Sequence, residues 1–536
     1  MPPRRLFSSK EDCESRAKAP TRQELYAQED MMDDAHKIEA RIAFELGNSG
    51  YAPRRRASTS PASRSAKRLQ FLEAERVMLE NIAKGYRSLD LSQGVHCTKD
   101  AVLRTFRYLF YRHKRGVFIS IRDGRVRTFM AFINRHFINP LAGELRLAPE
   151  AHQAVQQRLR EQAHAYTVAG EVSAPVFNPP ASWGNIGCLV GNVIKKAAPA
   201  QADGYEVDYN HVEVRFFLER VCEARHVPDC NFFVNYYDQV VLREDLSVPF
   251  WHIVEPPAGR KIPAGKRAPM CPIVSMCHRP GYLDLPCVFP DDVRRVWRGF
   301  APPSCSNPYL DEAQYETRWE AKMPTAVFRG TATGCGWTVE TNPRLQLAHM
   351  SSQQGNTTPP LLDVVLTGTD NVRFKKHRSD RYVRYYRDTR VLQDSSRALT
   401  MAEQSRFKYV LYVEGNVAAY RLSGLFGLGS LVILVKGDYH VWFQPHLRHM
   451  HNCFIVPSAA DVPAAVRWCR THDTECRRMA AEGLRLFKML FGQQGLLDYG
   501  RLLLEAVAAA GGGVHASTSV GVGRPGSRLQ NFRRYT

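Results

Sequence analysis

The sequence predicts an α/β protein of two successive Rossmann-like domains, preceded by a small basic module. Three observations carry this reading. The chain has 536 residues, more than one hydrophobic core supports. Short runs rich in Val, Ile, Leu and Phe alternate with helix-like stretches in two blocks, the pattern of parallel sheets. Hydrophobic residues make up 44% and charged residues 24%, which excludes a chain that is disordered throughout.

The elements follow in order. Residues 1–67 are polar, with Arg54-Arg55-Arg56 and a Ser/Ala/Pro tract, and are expected to be disordered apart from a helix near 24–46. Residues 68–160 form the basic module. It opens with a helix over 69–86, and Asp123-Gly124 between two apolar runs, 117–121 and 126–133, predicts a β-hairpin. Residues 161–325 make the first large domain, with a helix over 216–225 and strands over 231–237 and 272–276. Residues 326–510 make the second, with strands over 326–328, 361–366, 407–413 and 430–435. Its helices are expected over 343–350, 417–428, 464–469 and 475–488. The Gly/Ser-rich stretch 511–536 reads as a flexible tail.

Charge narrows the partners. Lys and Arg number 73 against 53 Asp and Glu, a net +20, so an anionic partner is expected. Residues 91–160 alone carry 13 basic against 4 acidic side chains, a net of +9. Interleaved with Phe106, Tyr108, Phe110 and Tyr111, they admit a nucleic-acid-binding alternative. The reading preferred here is aromatic core beneath a solvated basic face, with no nucleic-acid partner. The 13 cysteines include no CxxC pair, which argues against zinc and for reduced thiols. The N-terminus lacks the apolar stretch of a signal peptide, and no run of 18 apolar residues offers a membrane span. The expectation is a non-secreted protein, cytoplasmic or associated with a viral factory or virion.

The segment 407–461 carries the most chemistry. A strand is followed by Glu414-Gly415-Asn416 and then a helix holding Arg421. A glycine turn between strand and helix offers free N–H groups to phosphate, and an arginine fork nearby suits a diphosphate. An ordinary βαβ unit with a surface arginine fits the same spacing. Asp238 ends the apolar run 231–237, where a carboxylate facing a cleft could abstract a proton; a turn or N-cap aspartate fits too. Glu244 and Asp245 are alternative bases. No Asp-x-Asp pair follows a strand, so no metal on a diphosphate is expected.

Lys408, Tyr409, Gly415, Ala418, Arg421, Gly429, Ser430, Trp442, Phe443, Pro445, Leu447, His451 and Val456 stand at spacings that resemble glycosyltransferase family 90. That family includes protein O-glucosyltransferases and capsule-associated xylosyltransferases. The resemblance spans about half the chain. It implies a GT-B fold, two Rossmann-like domains facing across a cleft. It also implies inverting, metal-independent transfer from a UDP-sugar, with no cofactor, to a protein or glycan hydroxyl. Within it, Asn235 and Asp238 match the block holding the family's catalytic aspartate, although the family's intervening arginine is Tyr237. Arg329, Gly330, Thr331 and Thr333 match its donor loop, whose second arginine is Ala332 here. Arg344 is a candidate substitute for that cation. Glu414, Gly415, Asn416, Ala418 and Arg421 complete the implied donor site, with Glu414 either holding ribose or shaping the turn. Ser275 and Asp284 match a third block, read as a loop support or a sugar contact. The basic stretch 106–132 resembles an extension of large-DNA-virus members. A relative that only binds nucleotide or glycan is the alternative, motivated by Ala332.

Overall fold

The computed structural model describes residues 72–89, 98–113, 115–133, 188–190, 209–235, 239–246, 269–297, 317–336, 338–355, 358–367, 373–375, 384–386, 388–391 and 393–512. The expectations for residues 1–67, for Asp238 and for the tail beyond 512 fall outside these.

The first layer opens with helices α1 (Glu73–Leu89) and α2 (Lys99–Arg107), the latter running into a π-helical turn at Tyr108–His113. Hairpin strands β1 (Arg115–Arg122) and β2 (Arg125–Ile133) follow, then β3 (Cys188–Val190), α3 (Tyr209–Ala224), β4 (Cys230–Val234), β5 (Ile273–Ser275), β6 (Leu285–Pro286) and α4 (Pro290–Val296). The strands make one sheet, ordered β3-β2-β1-β4-β5-β6. The expectation of a purely parallel sheet is corrected: β1 runs antiparallel to both β2 and β4, while the other pairs are parallel. The hairpin is real, and its turn residues Asp123 and Gly124 both take positive φ, 51° and 65°. It does not stand apart as a basic module. Val117 to Ile121 pair with Val234 to Cys230, so β1 lies mid-sheet and is buried along nearly its whole length. Phe106 and Phe110 are core residues, as expected. Arg122 is also interior, donating to Cys230 O (3.1 Å) and Asn231 Oδ1 (2.8 Å).

The second layer holds β7 (Met323–Gly330), α5 (Pro343–Gln353), β8 (Leu362–Leu366), a small ribbon β9 (Arg373–Lys375) and β10 (Arg384–Tyr386), and α6 (Met401–Gln404). Then come β11 (Phe407–Tyr412), α7 (Leu422–Phe426), β12 (Leu431–Val435), β13 (Phe454–Val456), and helices α8 (Val462–Thr471), α9 (Asp473–Leu490) and α10 (Gln493–Val507). Its main sheet is wholly parallel, ordered β13-β12-β11-β7-β8. Both faces are covered. Tyr409, Leu411, Leu431 and Ile433 enter one core, and Val410, Tyr412, Val432 and Leu434 enter the other, which is continuous with the first layer. Such strands read as unbroken apolar runs, which is why the sequence exposes them.

The helix expected over 417–428 shrinks to the five residues of α7. Before it, the backbone is spent on turns: Gly415 N–H donates to Val417 O (2.9 Å) and Ala419 N–H to the Tyr412 hydroxyl (2.9 Å). After it, Gly429 takes φ 60° and ends the helix. The last helix returns to the first layer. Tyr499 Oη donates to Pro286 O (2.6 Å) and Arg225 Nε to Asp498 (2.7 Å). Gly500 permits close packing on α3, since a Cβ there would lie 2.4 Å from Val221 Cγ2. Trp442 and Phe443, two of the spaced resemblance residues, are buried here against Tyr499 and Phe491, with ring centroids 4.7 and 4.6 Å apart. Among the described residues, no helix is long and apolar enough to cross a membrane.

Candidate active site

Strand order reverses once in the second sheet. From β7 the chain crosses to β8 on one side, then returns to β11 on the other and continues outward to β12 and β13. The loops leaving β7 and β11 lie beside this reversal at the strand C-terminal ends, where open α/β sheets bind ligands in a crevice. Residues 331–336 and 413–417 line it. The two loops touch: Gly334 N–H donates to Asn416 Oδ1 (3.1 Å), and a Cβ on Gly415 would lie 3.0 Å from Thr333 Oγ1. Gly334 takes φ 109°, a conformation that favours glycine.

Three arginines meet here, with different commitments. Arg344, in the first turn of α5, donates to Glu414 O (2.9 Å), Thr331 O (2.9 Å), Thr333 Oγ1 (2.7 Å) and Val413 O (2.8 Å). It pins the two loops together. Arg329 turns the other way, donating to Arg397 O (2.8 Å), Asp363 O (2.7 Å), Phe328 O (3.0 Å) and the Asp363 carboxylate (2.7 Å). Both guanidinium groups are engaged with protein acceptors. Arg421, just before α7, donates to one acceptor among the described residues, Arg329 O. Its guanidinium lies 5.6 Å from the Phe328 ring centroid and close to Gly330, where a Cβ would sit 3.3 Å from Nη2.

The first-layer loops named as candidates hold a network of their own. The buried Asp284 carboxylate accepts from Val241 N–H (2.9 Å), Leu242 N–H (2.8 Å) and Ser275 Oγ (2.5 Å). Asn235 Nδ2 donates to Ser275 Oγ (3.0 Å) and Gln239 O (2.8 Å), closing a turn at the end of β4. Asp238, between these two residues in sequence, lies outside the described residues. Of the alternative bases, Asp245 is paired with Arg243 (3.1 Å). Burial raises the Asp284 carboxyl to about 6 despite its three donors.

Residues 217–509 match the family described as Glycosyl transferase family 90. The chain belongs to glycosyltransferase family 90. It is similar to uncharacterized protein 179R of Invertebrate iridescent virus 6, 27% identical over 76% of this chain and 37% of that protein. Uncharacterized protein 027R of Frog virus 3 is 27% identical over 76% of this chain and 42% of its own length. Protein O-glucosyltransferase 3 of Rattus norvegicus is 28% identical over 31% of this chain and 28% of that protein. The chain spans about two fifths of the length of these viral relatives.

The family-like residues divide into crevice and frame. Thr331, Thr333, Gly415 and Asn416 line the crevice, and Arg421 reaches it across Gly330. Ala418 and Ala332 are buried in the two cores. Glu414 does not open toward a ligand: its carboxylate accepts from Asp438 N–H (3.1 Å) and Tyr439 N–H (2.9 Å), and burial raises it to about 7. Of the two readings of Glu414 the contacts favour the support of a loop. The same holds for Ser275 and Asp284. Sequence reasoning missed Asn342, which caps α5 through Arg344 N–H (2.9 Å) and holds Thr333 O through Nδ2 (3.2 Å). An Asn-Pro pair opening a helix is the signal that could have found it.

Proposed function

We propose that this chain is an inverting glycosyltransferase that moves a hexose or xylose from a UDP-sugar to a hydroxyl of a protein or glycan acceptor. In this reading the two α/β layers act as a GT-B pair. The single observation that carries it is Arg421, which among the described residues donates one hydrogen bond to protein and stands beside two glycine loops at the strand reversal. Family membership of residues 217–509 supports the reaction class.

The chemistry then runs as follows. Arg421, the Thr331 and Thr333 hydroxyls and loop N–H groups receive the donor diphosphate and stabilise the charge that grows on it. Asp238 takes the proton of the acceptor hydroxyl. The acceptor oxygen forms its bond to the anomeric carbon from the face opposite the diphosphate, as the bond to UDP breaks and UDP leaves with the electron pair. Arginine charge takes the place a metal would fill. Arg344 and Arg329 do not touch the donor in this reading; they hold the loops that do.

The test is UDP release across UDP-hexoses and UDP-xylose, with and without hydroxyl acceptors, for the wild type and Asp238→Asn. Turnover should fall by roughly 100-fold or more in the variant, with UDP affinity kept. Near-normal turnover would remove Asp238 as the base and turn attention to Glu244.

A further inference from the structure

Segment 276–284 touches both sides of the crevice. Toward the acceptor side it pairs with the chain after Asp238: Leu283 N–H donates to Leu242 O (2.7 Å), and Glu244 N–H to Gly281 O (3.0 Å). Toward the donor side, His278 and His440 exchange both backbone hydrogen bonds, each 2.8 Å. The loop carrying His440 is pinned from below by Glu414 through the Asp438 and Tyr439 amides. Gly437 makes room for that carboxylate, since a Cβ there would lie 1.9 Å from Glu414 Cδ. Arg279 adds an ion pair to Asp438 (2.6 Å). Within the segment, His278 Nδ1 lies 3.1 Å from Asp284 O, and a carbonyl can only accept, so that nitrogen carries the proton.

We propose that segment 276–284 is a strut that fixes the spacing between the donor loop and the acceptor-side loop 239–246, with Glu414 and Asp284 as positioning residues at its two ends. The proposal rests on the glycosyltransferase reading for its kinetic consequence alone. The physical argument is continuity without slack. Arg344 ties Glu414 to Thr331 and Thr333, and Glu414 ties the loop of His440. His440 ties His278, and Asp284 ties Val241 and Leu242. Apart from the exposed Asp438 N–H, these links are buried or half-buried hydrogen bonds, and close-packed contacts transmit a displacement. Reaction geometry in a transferase depends on the spacing of base and donor, which the strut spans.

The experiment uses Gly437→Ala, which pushes on the Glu414 carboxylate, and the milder Glu414→Gln, both in the full chain. Hydrogen exchange reads the coupling without any substrate. Amides of 239–246, across the crevice from the substitutions, should exchange about 10-fold faster or more in Gly437→Ala and less so in Glu414→Gln. Unchanged exchange there overturns the strut, whatever the activity. In steady-state assays kcat should fall roughly 10–100-fold with the donor KM nearly constant. A raised donor KM with kcat intact would overturn the positioning role and make Glu414 a donor contact. If the wild type turns over no nucleotide sugar, the functional reading fails while the exchange result still decides the strut.

Discussion

Replacing Arg344 by Ala tests the architecture of the crevice most directly. The side chain makes four hydrogen bonds to the two glycine loops, three of them to backbone carbonyls. Removing it strands those acceptors. A bond from a charged donor contributes about 1.5–3 kcal/mol, and water reaching the half-exposed loops recovers part of the loss. The net expectation is a destabilisation of about 3–5 kcal/mol, large for a single substitution because several buried acceptors lose their donor together. Lys cannot reproduce the planar fork, so Arg344→Lys should recover less than half. Guanidinium titration followed by tryptophan fluorescence measures the loss, and calorimetric titration of UDP should give an affinity at least about 10-fold weaker, because both loops loosen together. A stability change below about 1 kcal/mol in Arg344→Ala would refute the reasoning. The loops would then be held by the Gly334–Asn416 bond and their own turns.

Arg421→Ala should weaken UDP binding by roughly 10–150-fold with little change in melting temperature, because its charge meets ligand rather than protein; unchanged UDP affinity in calorimetry would remove it from the donor site. Gly334→Ala should also reduce UDP affinity, since the added Cβ strains a φ of 109° and would lie 3.2 Å from Gly415 O. Chelation by EDTA should leave turnover unaltered, and an absolute need for a divalent ion would contradict the arginine-based mechanism. Burial holds Glu414 up to about 7, above its ordinary 4.5, so the folded state keeps a proton that the unfolded chain has released. Its contribution to stability is therefore complete below about pH 4.5 and is lost as pH rises through about 7. Denaturation midpoints of wild type and Glu414→Gln should separate in that sense, the wild type losing more between about pH 5 and about pH 8. The opposite slope difference would show that its two backbone donors outweigh burial.

Strands β7, β8, β11 and β12 of the second sheet were legible because they are buried apolar runs, whereas the three-residue β13 was too short to stand out. The Asp123-Gly124 turn was legible because both residues favour positive φ. What the chain order hid was non-local. Strand β1 pairs with β4 across a long stretch of sequence, so the hairpin read as a separate module until Val117 was seen opposite Val234. The short α7 was hidden by one contact, the Tyr412 hydroxyl taking the Ala419 N–H. The arginines are the sharper case. Arg329 leads into a glycine loop, and Arg344 and Arg421 stand at helix starts, all in ways that suit phosphate. Only their contacts separate two braces from one arginine that donates a single hydrogen bond among the described residues, and no spacing rule encodes those contacts. Glu414 was similar: its sequence neighbours suggest a turn, whereas its partners Asp438 and Tyr439 arrive from the next strand's loop.

The return of α10 to the first layer has a consequence for biosynthesis. Tyr499, Gly500 and Asp498 cover surface on β6 and at α3 that was translated 213 and 273 residues earlier, respectively, by the Tyr499–Pro286 and Asp498–Arg225 contacts. During vectorial synthesis that surface has no lid until almost the whole described chain has left the ribosome. The first layer must therefore wait, exposed and in need of protection, while the second completes itself from contiguous parallel strands. A nascent chain stalled near residue 490 should carry a finished second sheet and an unsealed first one, which makes the final helix the step that commits both layers to a common fold.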